Sequence, residues 1–252
     1  MFDRTDKTLL VTVGILLVSG LVMFGSAALG VLSVNEVKFY SVLKTQLIYA
    51  LIGGTIALCA GVMIPYTWYK KYAYYFFGGA LVITSLVFVP FLSRYHGGAH
   101  RWIDLGPITF QPSEILKFTF VLVVAVWCAR YRNFFKNWRY GLAPYFLSAG
   151  LVSFLLLAQP DFGTYLVIMT ASFITYFVGG ARRNHILALI AAGLLGMLLL
   201  VALRPYMLER IKTFVNNTHD PRGSSWQLNQ SLIALGGGGL TGRGLGQSVQ
   251  KF

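Results

Sequence analysis

Residues 186–203 read ILALIAAGLLGMLLLVAL, eighteen consecutive positions without a charged side chain. A helix that is apolar on every face belongs either in the core of a large protein or in a membrane. The hydrocarbon core of a bilayer is crossed by about 20 such residues in helical form. The stretch therefore predicts a membrane-spanning helix.

The overall composition supports this interpretation. Hydrophobic residues make up 56% of the chain and charged residues only 12%, whereas a soluble domain carries about 25% charged residues. The net charge of +13 would suit nucleic acid in a soluble protein. In so apolar a chain it indicates membrane topology and an anionic lipid or substrate instead, so we expect no nucleic-acid partner.

Further apolar segments of similar length precede this one. The first contains Ser26-Ala27-Ala28, which faintly resembles a cleavage site, but its apolar run exceeds the roughly 7–15 residues of a signal-peptide core. We therefore predict an all-α, polytopic transmembrane helix bundle with about seven spans, forming a single domain over residues 1–252. The predicted spans are residues 9–32, 43–64, 73–92, 113–129, 142–158, 163–179 and 186–203.

Lysine and arginine in the short loops predict the orientation, because cytoplasmic loops carry an excess of both. One set of loops holds Arg4, Lys7, Lys70, Lys71, Arg130, Arg132, Lys136, Arg139, Arg182 and Arg183. The alternate set holds Lys38, Lys44, Arg94 and Arg101. This distribution predicts a cytoplasmic N-terminus and places residues 204–252 on the outer side.

The outer loop before the fourth span contains the pair Arg101-Trp102 among glycines and prolines. Arginine presents a planar fork that matches phosphate oxygens, and tryptophan is enriched at the level of lipid headgroups. The loop therefore predicts a contact with an anionic ligand. A tight connector with an interfacial anchor is the alternative.

The sequence Gln111-Pro112-Ser113-Glu114 begins the fourth helix, and Lys117 follows one turn later. Pro112 suits the first helical position, and Glu114 complements the helix dipole, so a helix start alone would explain both. Ionisable residues inside a span are costly and usually paired or functional. We therefore predict a polar site in which Glu114 and Lys117 form a pair.

Gln159-Pro160-Asp161-Phe162-Gly163-Thr164 joins the fifth and sixth spans. Asp161 is a candidate helix cap, a candidate catalytic base and a candidate metal ligand, and the sequence leaves these three roles open. In the tail, Arg222 precedes a glycine-rich stretch whose backbone N–H groups could approach an anion.

Together these segments resemble the SEDS family of peptidoglycan glycosyltransferases, which includes FtsW, RodA and SpoVE. The similarity covers the whole chain and rests on four blocks in order. They are His100–Ile103 with Leu105-Gly106, Gln111–Glu114 with Lys117, Gln159–Thr164, and Gln230-Ser231-Leu232-Ile233-Ala234 followed by glycines. The ending, residues 244–252, is most similar to the FtsW, division-type branch.

The resemblance implies polymerisation of lipid II, an undecaprenyl-pyrophosphate-linked precursor, at the outer face of the bacterial cytoplasmic membrane during cell division. It implies a class B penicillin-binding protein and other septal membrane proteins as partners, and a location at the division septum. The family has about ten spans. We therefore expect this chain to be an N-terminal fragment, with residues 204–252 as the start of the large outer loop.

The resemblance also suggests roles for individual residues. The expected substrate-binding residues are Arg101, Trp102, Gln111, Glu114, Lys117, Gln159, Arg222, Gln230 and Ser231. The acid usually assigned as general base lies beyond Phe252, so Asp161 is a secondary catalytic candidate. No cofactor is implied with certainty. A divalent cation remains open, but no metal-ligand cluster can be named. Two other functions also remain open: a lipid II flippase, and a non-catalytic septal scaffold.

Overall fold

The computed structural model of the chain describes residues 6–32, 36–48, 52–96, 99–104, 109–135, 137–203, 205–215, 225–245 and 247. Within these ranges the helices are α1 Lys7–Leu32, α2 Glu36–Ile48, α3 Gly54–Met63, α4 Tyr66–Ser85, α5 Pro112–Arg130, α6 Ala143–Ala158, α7 Phe162–Val178, α8 Arg183–Leu203, α9 Pro205–Val215 and α10 Trp226–Gly238. The strands are β1 Ser93–His96, β2 Ala99–Asp104 and β3 Thr109–Phe110.

The helices confirm the predicted all-α transmembrane class. Among the described residues, five helical segments are long and apolar enough to cross a membrane: Lys7–Leu29, Tyr66–Phe88, Pro112–Arg130, Trp138–Ala158 and Arg183–Leu203. The chain is therefore a multi-pass membrane protein.

The two remaining predicted spans correspond to shorter helices. α7 has 17 residues, which at 1.5 Å per residue gives a length of about 26 Å. The predicted span 43–64 falls on α2 and α3, and its residues 49–51 lie outside the described residues. α3 has only 10 residues, but Gly53 before it also has helical backbone angles. One continuous span over residues 43–64 therefore stays a prediction.

The chain divides into two compact units, residues 1–64 with 198–252 and residues 65–197. The single domain expected from the sequence stays a prediction. Most of the residues singled out in the sequence analysis lie in the second unit.

Helix α5 is the central helix of residues 65–197. Leu116, Phe120 and Val124 on α5 are buried, together with Ala73 and Ala80 on α4. These five residues belong to one hydrophobic cluster. Small residues at such positions let membrane helices approach closely. The packing of Ala73 and Ala80 therefore determines how α4 is positioned against α5.

Aromatic side chains join α5, α6, α7 and α8 at one end of this unit. The Tyr176 ring stacks on Tyr145, with centroids 4.6 Å apart, and on Trp127 at 6.0 Å. Buried tyrosines usually find a partner for the hydroxyl group. Here Tyr145 Oη lies 3.1 Å from Ser172 Oγ, and Tyr176 Oη lies 3.1 Å from His185 Nδ1.

The segment between α4 and α5, which was predicted to be a loop, forms a small antiparallel sheet in the order β1-β2-β3. Ser93 pairs with Ile103, and Ile103 pairs in turn with Phe110. The backbone N–H of Asp104 donates to the carbonyl of Leu92 at 3.0 Å. Gly97-Gly98 between two strands is a recognisable hairpin signal, so this sheet could have been anticipated.

One glycine in this unit is required for close packing. Gly141 lies in the π-helical segment Trp138–Leu142 that precedes α6. A Cβ atom at this position would overlap the backbone carbonyl oxygen of Phe135 and lie 3.0 Å from His185 Cε1. One neighbour is a backbone atom and the other belongs to a buried ring, so neither can easily move aside.

We therefore expect Gly141→Ala to lower the free energy of unfolding by about 1–3 kcal/mol, because overpacking forces backbone shifts. Gly150→Ala is the matched control, since nothing lies within 4 Å of a Cβ at that position in α6. It should stabilise the protein by about 0.5–1 kcal/mol through helix propensity. Thermal unfolding in detergent measures both, and equal melting temperatures for the two variants would contradict the packing argument.

Candidate functional site

Six residues from separate parts of the chain meet at the end of the second unit opposite the aromatic cluster. We call this set the polar junction. It consists of Thr84, Arg101, Gln111, Ser113, Gln159 and Asp161. Thr84 lies in the last turn of α4 and Arg101 on β2, Gln111 and Ser113 lie at the start of α5, and Gln159 and Asp161 lie between α6 and α7.

Gln159 links the end of α6 to the end of α4. Its side chain is 2% exposed, and its Nε2 donates to the carbonyl oxygen of Thr84 at 3.1 Å. A buried amide without a partner would cost about 1–3 kcal/mol. This hydrogen bond therefore favours one arrangement of the two helix ends.

Arg101 connects the sheet to the same helix end. Its Nε donates to the carbonyl of Gln159 at 3.4 Å, and its Nη2 donates to the carbonyl of Pro160 at 2.5 Å. Carbonyl groups at a helix C-terminus lack partners within the helix, and a cation there complements the helix dipole. Two N–H groups of Arg101 are engaged in this way, so only part of the guanidinium can reach a ligand.

Asp161 caps α7. The side chain is 5% exposed, and one carboxylate oxygen accepts from the backbone N–H of Thr164 at 3.5 Å. The other oxygen accepts from Gln111 Nε2 at 3.1 Å and from Ser113 Oγ at 3.5 Å. The capping role is thus one that the geometry supports directly. The roles of base and metal ligand stay predictions.

The expected pair forms one turn into α5. Lys117 Nζ lies 3.0 Å from each carboxylate oxygen of Glu114. The lysine side chain is 35% exposed and the glutamate side chain 54%, so the pair lies on the surface of this unit, next to exposed Phe118. It is accessible to a ligand in a way that Gln159 and Asp161 are not.

Four further residues were expected to bind substrate: Trp102, Arg222, Gln230 and Ser231. Trp102 is half-buried on β2, beside Arg101. Gln230 and Ser231 lie on α10 in the other unit, where Ser231 Oγ donates to the Gln227 carbonyl one turn earlier. Arg222 lies outside the described residues.

No group of three His, Cys, Asp or Glu side chains in the described ranges could hold a metal ion. We therefore assign no ligands for the divalent cation that the sequence left open. Sequence reasoning missed two members of the polar junction. Ser113 was quoted only as part of a motif. Thr84 takes part through its backbone carbonyl, which no sequence pattern reveals.

A family model described as cell cycle protein, FtsW/RodA/SpoVE, matches residues 7–252. A probable peptidoglycan glycosyltransferase FtsW from Coxiella burnetii is 37% identical over 238 residues, which cover 94% of this chain and 63% of that protein. Stage V sporulation protein E from Bacillus subtilis is 32% identical over 247 residues, covering 98% and 67%.

A solved structure is also similar. It comes from work on the structural coordination of polymerization and crosslinking by a peptidoglycan synthase complex. The TM-score is 0.67 and the identity 31%, over 94% of this chain and 67% of that one. The chain spans between 50% and 67% of the length of the curated relatives it matches.

The hydrogen bond between Gln111 and Asp161 can be tested by exchanging the amide and the carboxylate between the two positions. Gln111→Glu places a second carboxylate against Asp161, and we expect a loss of about 2 kcal/mol because a buried acceptor loses its donor. Adding Asp161→Asn restores an amide–carboxylate pair in the reverse direction and keeps a capping oxygen for Thr164. The double variant should regain most of the lost stability in thermal unfolding.

Gln227→Glu, at an exposed position on α10, is the control for the cost of the substitution itself. A double variant no more stable than Gln111→Glu alone would show that the two side chains do not interact.

Proposed function

The chain belongs to the FtsW/RodA/SpoVE family of cell cycle proteins, and from this premise we propose that the whole protein is a peptidoglycan glycosyltransferase of cell division. Its substrate would be lipid II, which it polymerises into glycan strands at the outer face of the bacterial cytoplasmic membrane. The observation that carries the proposal is the convergence of three of the family's sequence blocks in the polar junction, beside an accessible lysine.

Lys117 is the residue we assign to the diphosphate of lipid II. Its ammonium group has three donors, and Glu114 holds it at 3.0 Å without burying it. An acceptor hydroxyl of one sugar attacks the anomeric carbon of the other, and undecaprenyl pyrophosphate leaves. Fixed positive charge stabilises the negative charge that grows on such a leaving group. The N–H groups of Arg101 that do not bind α6 can contribute at the same place.

Gln159 and Asp161 act as positioning residues in this proposal. Both are buried, so neither reaches a sugar directly. Gln159 holds the end of α6 on α4, and Asp161 holds Gln111. Gln111 is half-buried and is the member of the pair that can contact substrate. Asp161 stays a secondary candidate for the general base, a role in which its carboxylate would have to become exposed to the acceptor hydroxyl.

The remaining expected contacts belong to the outer segment and to the headgroup region. Trp102 would pack against the lipid headgroup or the sugar. Arg222, Gln230 and Ser231 would add contacts to the diphosphate or the peptide. A divalent cation, if the protein uses one, would offset negative charge on the diphosphate, and we assign no residue of the described ranges to hold it.

We further propose that the N-terminus is cytoplasmic and that the protein works at the division septum with a class B penicillin-binding protein and other septal membrane proteins. The loop charges support the orientation. The similarity to a chain from a peptidoglycan synthase complex supports the partner. Cross-linking of new strands by such a partner would follow their polymerisation.

The test uses the whole protein, purified with its penicillin-binding protein and supplied with lipid II. We expect glycan strands on a gel, and we expect Lys117→Gln to lower their rate of formation by about 100-fold, the usual effect of losing one group that stabilises transition-state charge. Lys117→Arg should retain more activity than Lys117→Gln, because it keeps the positive charge.

Arg139→Gln, at the opposite end of the same unit, is the control and should polymerise normally. Full activity of Lys117→Gln would remove this residue from the mechanism. Transfer of lipid II across vesicles without any polymer would favour the flippase. Normal septation by a correctly localised Lys117→Gln variant would favour a scaffold.

A further inference from the structure

A cavity of about 330 Å³ lies at the end of the second unit away from the polar junction. Its lining residues are Tyr74, Trp127, Arg130, Tyr131, Tyr140 and Pro144. The volume is at the lower end of the range of roughly 300–1,000 Å³ that is typical of small-ligand sites. We call it the aromatic cavity. No residue of the polar junction lines it.

The aromatic cavity lies where membrane spans end. Arg130 is the last residue of α5, and the span Trp138–Ala158 begins beside it. Four of the six lining residues are tyrosine or tryptophan, the residues that gather at membrane–water interfaces. The cavity therefore opens at the level of lipid headgroups rather than in the middle of the hydrocarbon.

The electrostatics of this end favour an anion. The Arg130 guanidinium is exposed and lies 5.9 Å from the centre of the Tyr131 ring, a distance at which a cation and a ring attract each other. Other exposed arginines of the unit lie between α5 and α6 or next to the start of α8: Arg132, Arg139, Arg182 and Arg183.

Carboxylates that could neutralise these arginines are found elsewhere in the unit. Residues 65–197 contain three acidic side chains, Asp104, Glu114 and Asp161. Asp161 belongs to the polar junction, Glu114 pairs with Lys117, and Asp104 ends β2 beside Leu92. The positive charge around the aromatic cavity has no acidic neighbour on its own loops.

An apolar surface continues from the cavity along the spans. On α6, Leu147 and Leu151 follow Pro144 on the same face and are exposed. On α4, one and two turns after Tyr74, there is open space at Gly78 and an exposed Val82. An acyl chain attached to a group in the cavity could lie along either helix.

We propose that the aromatic cavity binds the headgroup of an anionic membrane phospholipid. The Arg130 guanidinium pairs with the phosphate, the aromatic rings surround the glycerol, and an acyl chain follows α4 or α6. Arginine suits this role because its planar donors match phosphate oxygens. The predicted orientation places the cavity in the cytoplasmic leaflet, where anionic lipids are attracted to basic segments. The site is independent of lipid II polymerisation.

Native mass spectrometry of the delipidated 252-residue chain tests the proposal. The chain is titrated with phosphatidylglycerol and with phosphatidylcholine of the same acyl chains. We expect preferential binding of phosphatidylglycerol, and about tenfold weaker binding in Arg130→Gln, because a charge-assisted hydrogen bond to the phosphate is lost. Arg132→Gln is the matched control. It removes the same charge two residues away, outside the cavity, and should bind within about twofold of the unchanged chain, as expected for an exposed charge.

Three results would overturn the proposal. Equal losses in Arg130→Gln and Arg132→Gln would mean that diffuse charge, not the cavity, attracts the lipid. Equal affinity for the two lipids would mean that the cavity does not select an anion. Displacement of phosphatidylglycerol by an equal concentration of glycerol 3-phosphate would mean that the site takes a soluble phosphate compound. Matching melting temperatures of the variants exclude misfolding as the cause.

Discussion

Buried backbone carbonyl groups at a helix end must find hydrogen-bond donors within the protein, because water does not reach them. At the end of α6, Arg101 provides these donors to Gln159 and Pro160. Gln159 in turn supplies a donor to the carbonyl of Thr84 on α4. The positions of β2, α4 and α6 at this end follow from these three hydrogen bonds. Asp161, two residues after Gln159, is thereby held against the start of α5.

The same constraint explains why residues of one motif differ in accessibility. Gln159 and Asp161 are buried, and their side chains form hydrogen bonds between helix ends. Lys117, one turn into α5, has a carboxylate partner and remains accessible. Positive charge is also found at the far end of the unit, where no acidic residue accompanies it. In our two proposals the ends bind different anions: a lipid-linked diphosphate at the polar junction, and a phospholipid headgroup at the aromatic cavity.

The spans could be predicted because a continuous apolar run such as 186–203 leaves few alternatives to a membrane helix. The pairing of Glu114 with Lys117 followed from helical spacing. The partners of Arg101 could not be predicted, because they are backbone carbonyls 58 and 59 residues away, and long-range contacts of main-chain atoms leave no mark on the sequence. The three-stranded sheet was missed for a different reason: its strands are short, and the glycines and prolines around them indicated only a connector.

The central claim is that the polar junction faces the non-cytoplasmic side, where a lipid-linked diphosphate can reach it. The most direct test is a pair of alkaline phosphatase fusions, one after Asp161 and one after Arg139, since this enzyme is active only outside the cytoplasm. We predict activity for the fusion at Asp161 and none for the fusion at Arg139. Activity at Arg139 with an inactive fusion at Asp161 would place the polar junction in the cytosol and contradict the account.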